Sequence, residues 1–104
     1  MHKNTQRSLS KTLFDLRKKS KLTQKAIADV MGISVAMYSK IELGERTVQE
    51  KHILKLAHLL NIDVTEFKIL CLADKLYSEV NNYPWDLADK ALHLVYNQYN
   101  QQQE

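Results

Sequence analysis

Apolar residues recur along the chain at helical spacing, separated by short polar or glycine breaks, and the pattern predicts six helices. Leu9, Leu13 and Leu16 fall at i, i+4 and i+7 with Lys11, Asp15, Arg17 and Lys18 between them, so a first amphipathic helix is expected over 8–20, ending near Lys21. Thr23 is a good N-cap for a second helix over 24–31, whose apolar edge is Ile27, Val30 and Met31 and which Gly32 stops. Ser34 caps a third helix with Tyr38 and Ile41 on its inner edge, ending at Gly44 in a left-handed conformation.

Thr47 and Glu50 have the spacing of a capping box, followed by Ile53, Leu54, Leu56, Ala57 and Leu60 as the stripe of a fourth helix. Asp63 and Glu66 repeat that device for a fifth helix, whose apolar set runs from Phe67, Leu70 and Cys71 through Ala73, Leu76, Tyr77 and Val80 to an end near Asn81 and Asn82. Pro84 suits the first position of a sixth, with Asp86 favoured at the same end by the helix dipole. Leu87, Ala88, Ala91, Leu92, Val95, Tyr96 and Tyr99 form its stripe, and the final polar run from Asn97 to Glu104 is expected to fray. No strand-like alternation and no internal repeat interrupt this series. The fold class is therefore all-α.

Composition narrows the class further. A chain of 104 residues, 44% hydrophobic, with two Gly and one Pro, has room for one modest core and lacks the breakers of a loop-rich scaffold. No apolar run approaches the roughly eighteen residues that cross a bilayer, and the single Cys71 cannot form an internal disulfide, so a cytoplasmic protein with an inert, buried thiol is expected. The net charge of +3 is unevenly spread: residues 1–65 carry 12 basic and 6 acidic side chains, residues 66–104 carry 3 and 6. A basic front and an acidic tail suit a protein whose first part faces a polyanion.

Two short helices about a Gly-containing turn form a helix-turn-helix, whose second helix can enter the DNA major groove. That arrangement needs a small residue where the helices cross, which Ala28 supplies, a turn residue, which Gly32 supplies, and apolar anchors, which Ile33, Tyr38 and Ile41 supply. The run LTQKAIADVMGISVAMYSKIELGER resembles the phage repressor and Cro family, of the XRE-like kind, over about residues 9–70.

The resemblance implies a five-helix DNA-binding domain over residues 8–70 that reads double-stranded DNA as a homodimer on a pseudo-palindromic site. It also implies a bacterial or phage-encoded, nucleoid-associated regulator. Residues 1–7 are read as a flexible arm, and residues 71–104 as a helical extension that serves dimerisation. Gln24 occupies the family's phosphate-contacting position at a helix N-terminus, with Lys25, Ser34 and Arg46 on the same surface. Val35, Ala36, Ser39 and Lys40 fall on the outer face of the third helix. Lys40 can donate to guanine O6 and N7, while Val35 and Ala36 suit thymine methyl groups. Many relatives carry long polar residues in that first turn, so this chain leans on apolar contacts and DNA shape. Arg17 and Glu42 match an internal ion pair of similar repressors, and with Ala28 and Gly32 they support the motif.

Nothing points to catalysis. There is no phosphate-cradling glycine loop, and His52, His58 and His93 lack metal-ligand spacing, so no metal, no cofactor and no enzyme activity are expected. The leading reading is a sequence-specific transcriptional repressor that engages no membrane. The alternative is an antitoxin-type module that binds a partner protein through its C-terminal helices and regulates its own operon.

Overall fold

The computed structural model describes residues 8–103. Six helices follow one another in these residues: α1 (Ser8–Lys19), α2 (Gln24–Met31), α3 (Val35–Glu42), α4 (Glu50–Leu59), α5 (Val64–Val80) and α6 (Trp85–Gln103). No strand occurs among the described residues. The expected arm at residues 1–7 lies outside them.

One three-residue corner joins α1 to α2, α2 to α3 and α4 to α5. Each corner begins with a residue in the left-handed conformation, Lys21 (φ 57°), Gly32 (φ 74°) or Asn61 (φ 56°). The next residue is apolar, and its amide reaches back to a carbonyl in the last helical turn: Leu22 to Arg17 (3.1 Å), Ile33 to Ala28 (3.0 Å), Ile62 to Ala57 (3.0 Å). These three apolar residues pack against the core. The third residue caps the following helix, its side-chain oxygen accepting from an amide three residues on: Thr23 from Ala26, Ser34 from Met37, Asp63 from Glu66, each at 3.0 Å. A corner thus satisfies orphan carbonyls at one helix end and an orphan amide at the next. Gly44 (φ 83°) ends α3 in the same way, with Glu45 donating to the Lys40 carbonyl at 2.8 Å.

The core is built by α1 to α5. Leu9 and Leu13 of α1, Ile27, Ala28 and Met31 of α2, and Tyr38 and Ile41 of α3 pack with Val48, with Ile53, Leu56, Ala57 and Leu60 around α4, and with Phe67 and Cys71 of α5. Truncating a fully buried leucine such as Leu13 to alanine removes about 2–5 kcal/mol, which would consume much of a small domain's stability. The helix α5 runs without a break through Leu70 and Cys71, so the expected extension starts inside a helix rather than at a linker.

Four local expectations differ from the structure. Thr47 does not cap α4: Gln49 holds that position without a side-chain bond, because Val48 is wholly buried and draws the preceding segment inward. Pro84 stands before the first helical residue, its carbonyl accepting from Leu87 (3.1 Å) and Ala88 (3.0 Å). Val30 and Leu54, and Ala73, Leu76 and Tyr77 in the second half of α5, read as inward-facing, are exposed. Lastly, α6 stays helical through Gln103 instead of fraying from Asn97, and its stripe is not buried: between Trp85 and Gln102 only Ala88 is buried and Asp89 half-buried. The periodicity of α6 is helical as expected, but its apolar face meets little of the core. A radius of gyration of 15.4 Å, against roughly 13 Å for a compact chain of this length, agrees with such a projecting element.

Candidate nucleic-acid interface

The helix-turn-helix is α2, the Gly32 corner and α3. Ala28 is fully buried where α2 packs on α3, and the α3 residues Tyr38 and Ile41 close the inner side. Gly32 holds a positive φ, and a Cβ added there would meet nothing within 4 Å. The glycine is therefore favoured by its backbone conformation and not by crowding.

The position of α3 is set by Glu42, whose carboxylate collects donors from three helices. Arg17 of α1 approaches as a fork, Nε donating to Oε2 at 2.7 Å and Nη2 to Oε1 at 3.0 Å. The Gln24 amide of α2 donates to Oε1 at 2.9 Å, and the Tyr38 hydroxyl donates to Oε2 at 2.9 Å. The remaining Arg17 arm, Nη1, donates to the Leu22 carbonyl in the first corner at 3.0 Å. Ser10 adds a hydroxyl bond to the Glu42 backbone carbonyl. Helices α1, α2 and α3 and the first corner are thereby tied to one residue at the end of α3.

The titration of these groups follows from that geometry. Burial pushes the Glu42 carboxyl up, but the hydrogen bonds from Arg17, Gln24 and Tyr38 and the charge of Arg17 outweigh it, so the group titrates below its ordinary value. Hydrogen bonding to Glu42 holds Arg17 above its ordinary value, with burial working against it. Burial, and then the adjacent Glu42 charge, raise the Tyr38 phenol well above its ordinary value, so it remains a donor.

Around this hub lie the residues singled out in the sequence. Arg17 and Glu42 form the ion pair just described, with side chains only 12% and 6% exposed. Gln24 sits at the N-terminus of α2, half-buried, with its amide nitrogen engaged by Glu42. Lys25 is exposed and paired with Asp29 one turn along α2 at 3.1 Å, and Arg46 is exposed just beyond α3. Ser34 is exposed, its hydroxyl oxygen holding the Met37 amide. On α3 the side chains of Val35, Ala36 and Lys40 are exposed and Ser39 is half-buried. Leu43 follows at 68% exposure, which leaves an outer surface that is mostly apolar with one cation.

Sequence reasoning did not anticipate the Tyr38 hydroxyl, the Gln24 amide or the Leu22 carbonyl as parts of the hub. A signal for the first was present, since Tyr38 and Glu42 are one helical turn apart. The other two depend on how α1 and α2 cross, which no local spacing encodes.

Elsewhere, no group of three or more His, Cys, Asp or Glu among the described residues is placed to hold a metal ion. Nor is any helix among them long and apolar enough to cross a membrane. Cys71 is buried, and burial, with Asp74 nearby, pushes its thiol up to about 11.

Comparison with curated proteins found no match. The helix-turn-helix family model matches residues 13–67, from Leu13 in the middle of α1 to Phe67 in the first turn of α5, more than half of the chain. This match contains the two helices, the corner between them and the Glu42 hub, and the chain belongs to the XRE-like helix-turn-helix family of DNA-binding transcription regulators.

Proposed function

We propose that the protein is a sequence-specific repressor that binds double-stranded DNA as a homodimer, with α3 in the major groove of each half-site. The observation that carries this reading is the Glu42 hub: it holds α3 rigidly against α1 and α2 while Val35, Ala36 and Lys40 remain exposed. A reader helix works by having its own position decided before DNA arrives. Lys40 is the main polar base reader, assisted by Ser39, and Val35 and Ala36 contact thymine methyl groups. Gln24, Lys25, Ser34 and Arg46 face phosphates and set the register without reading sequence. Arg17 belongs to the support of the motif, and two of its five N–H groups lie beyond the three bonds it makes, so it can also meet a phosphate.

In this reading residues 8–70 form the DNA-binding unit and residues 71–104 its dimerisation element, and the protein is cytoplasmic and not an enzyme. The exposed face of α6 is also what an antitoxin-type protein-binding role would use. Selection of bound duplexes from a random pool, at near-physiological salt with excess nonspecific competitor, tests the reading. Two inverted half-sites about one helical turn apart are expected. Failure to enrich any motif would overturn sequence-specific repression and leave the protein-binding role.

A further inference from the structure

Helix α6 is built for contact with a chain like itself. Trp85, Leu92 and Tyr99 recur at seven-residue intervals, and Ala88, Val95 and Gln102 recur three residues after each of them. These are the two interleaved sets that form the seam of a coiled coil. Apart from Ala88, the seam keeps much of its surface exposed: Trp85 63%, Leu92 40%, Val95 58% and Tyr99 61%. With Leu92 and the adjacent Tyr96, this stripe offers on the order of 500 Å² of apolar surface. A patch of about that size is as large as the largest that a typical monomer exposes, and such patches often mark interaction sites. It also matches the apolar part of a standard stable interface, which buries about 800 Å² per partner, a little over half of it apolar.

The polar residues of α6 say what covers the stripe. From Ala91 to Gln103 the helix carries no Asp, Glu, Lys or Arg, so two copies laid together meet no like-charge repulsion, and a charged partner finds no countercharge. Its polar surface is instead made of Asn97, Gln98, Asn100 and the three glutamines after it. A primary amide is both donor and acceptor, so such a surface complements a copy of itself, as a two-fold interface requires. We infer that α6 is the self-association surface of this chain, two copies docking through the stripe of Trp85, Ala88, Leu92, Val95 and Tyr99.

This rests on and deepens the dimer reading above, and its test uses no DNA: a monomer would overturn both, whereas a dimer that survives the α6 substitutions overturns this inference alone. Sedimentation equilibrium of the full chain should give a dimer at micromolar concentration. Leu92→Glu and Val95→Glu, at exposed positions away from the core, should each weaken association by roughly a hundredfold. Leu54→Glu, exposed on α4, should leave it unchanged, and circular dichroism should show all three folded. Hydrogen exchange should show protection of α6 amides that rises with protein concentration. A wild-type monomer at high micromolar concentration would overturn the inference and leave the stripe to a different protein. So would a dimer that survives both α6 substitutions, or α6 protection independent of concentration, which would mean that α6 folds back on its own domain.

Discussion

Arg17 and Glu42, 25 positions apart in the chain, meet fork to fork, with Nε 2.7 Å from Oε2 and Nη2 3.0 Å from Oε1. Because Tyr38 and Gln24 share the same carboxylate, Glu42→Ala strands a largely buried guanidinium, a buried phenol and an amide together. Removing one member of such a pair costs about 3 kcal/mol, roughly 12–24 °C in Tm for a domain of this size. Thermal melts of Glu42→Ala and Tyr38→Phe should order the two, with the phenylalanine variant losing only about 1.5 kcal/mol because one charged hydrogen bond goes and the ion pair stays. Equal, small losses would mean that the hub contributes little to the fold.

The hub also shapes stability at both ends of the pH scale. Glu42 titrates lower in the folded chain than its ordinary 4.5, so its contribution is complete above that pH and is lost as the pH falls through the depressed value. Tyr38 titrates higher in the folded chain than its ordinary 10.0, so its contribution is complete below pH 10 and is lost as the pH rises beyond it. Urea unfolding across pH should show Glu42→Gln flattening the acid limb and Tyr38→Phe flattening the alkaline limb. Because each group helps shift the other, each substitution should also shrink the opposite limb without abolishing it, since Arg17 and Gln24 still hold Glu42 down and burial still holds Tyr38 up.

The repeated corner predicts opposite signs for two kinds of substitution. Gly32→Ala meets no steric neighbour, so its cost is that of the left-handed backbone alone, about 1 kcal/mol. Lys21→Gly relieves the same strain at a position that already bears a side chain, with a gain of up to about 1 kcal/mol after the added freedom of the unfolded chain is counted. Asn61→Gly gains less, since asparagine tolerates that region better. Denaturant midpoints should therefore rank Lys21→Gly above wild type and Gly32→Ala below it.

Lys40 and Arg46 separate base reading from charge neutralisation. Lys40→Ala should weaken binding to a selected site containing guanine by about 1–3 kcal/mol and relax preference at that base pair. Arg46→Ala should weaken all duplexes alike and lower the salt slope by about one. Binding titrations on matched and single-substituted duplexes at several salt concentrations distinguish these outcomes. A uniform loss for Lys40→Ala would make it a phosphate contact.

Much of this architecture was legible in the chain because it is local. The caps Thr23, Ser34 and Asp63 act on amides three residues away, the Gly32 corner closes over six residues, and the inward positions Leu13, Ile27, Tyr38 and Phe67 follow from a 3.6-residue period. Where the expectation missed, a distant partner or a buried neighbour had intervened, as when Val48 displaced the cap of α4. Periodicity reports that a helix has an apolar face but not what that face meets, so α5 and α6 looked equally core-forming in sequence. The tertiary structure alone decided that Phe67 and Cys71 enter the core while Tyr96 and Tyr99 remain exposed, because burial depends on where a helix axis points after its last turn. Likewise, the chain presents Glu42 as one acidic residue at a helix end. Its role as the junction of Arg17, Gln24 and Tyr38 exists only once α1, α2 and α3 have packed and brought donors 4, 18 and 25 positions away within hydrogen-bonding distance of one carboxylate.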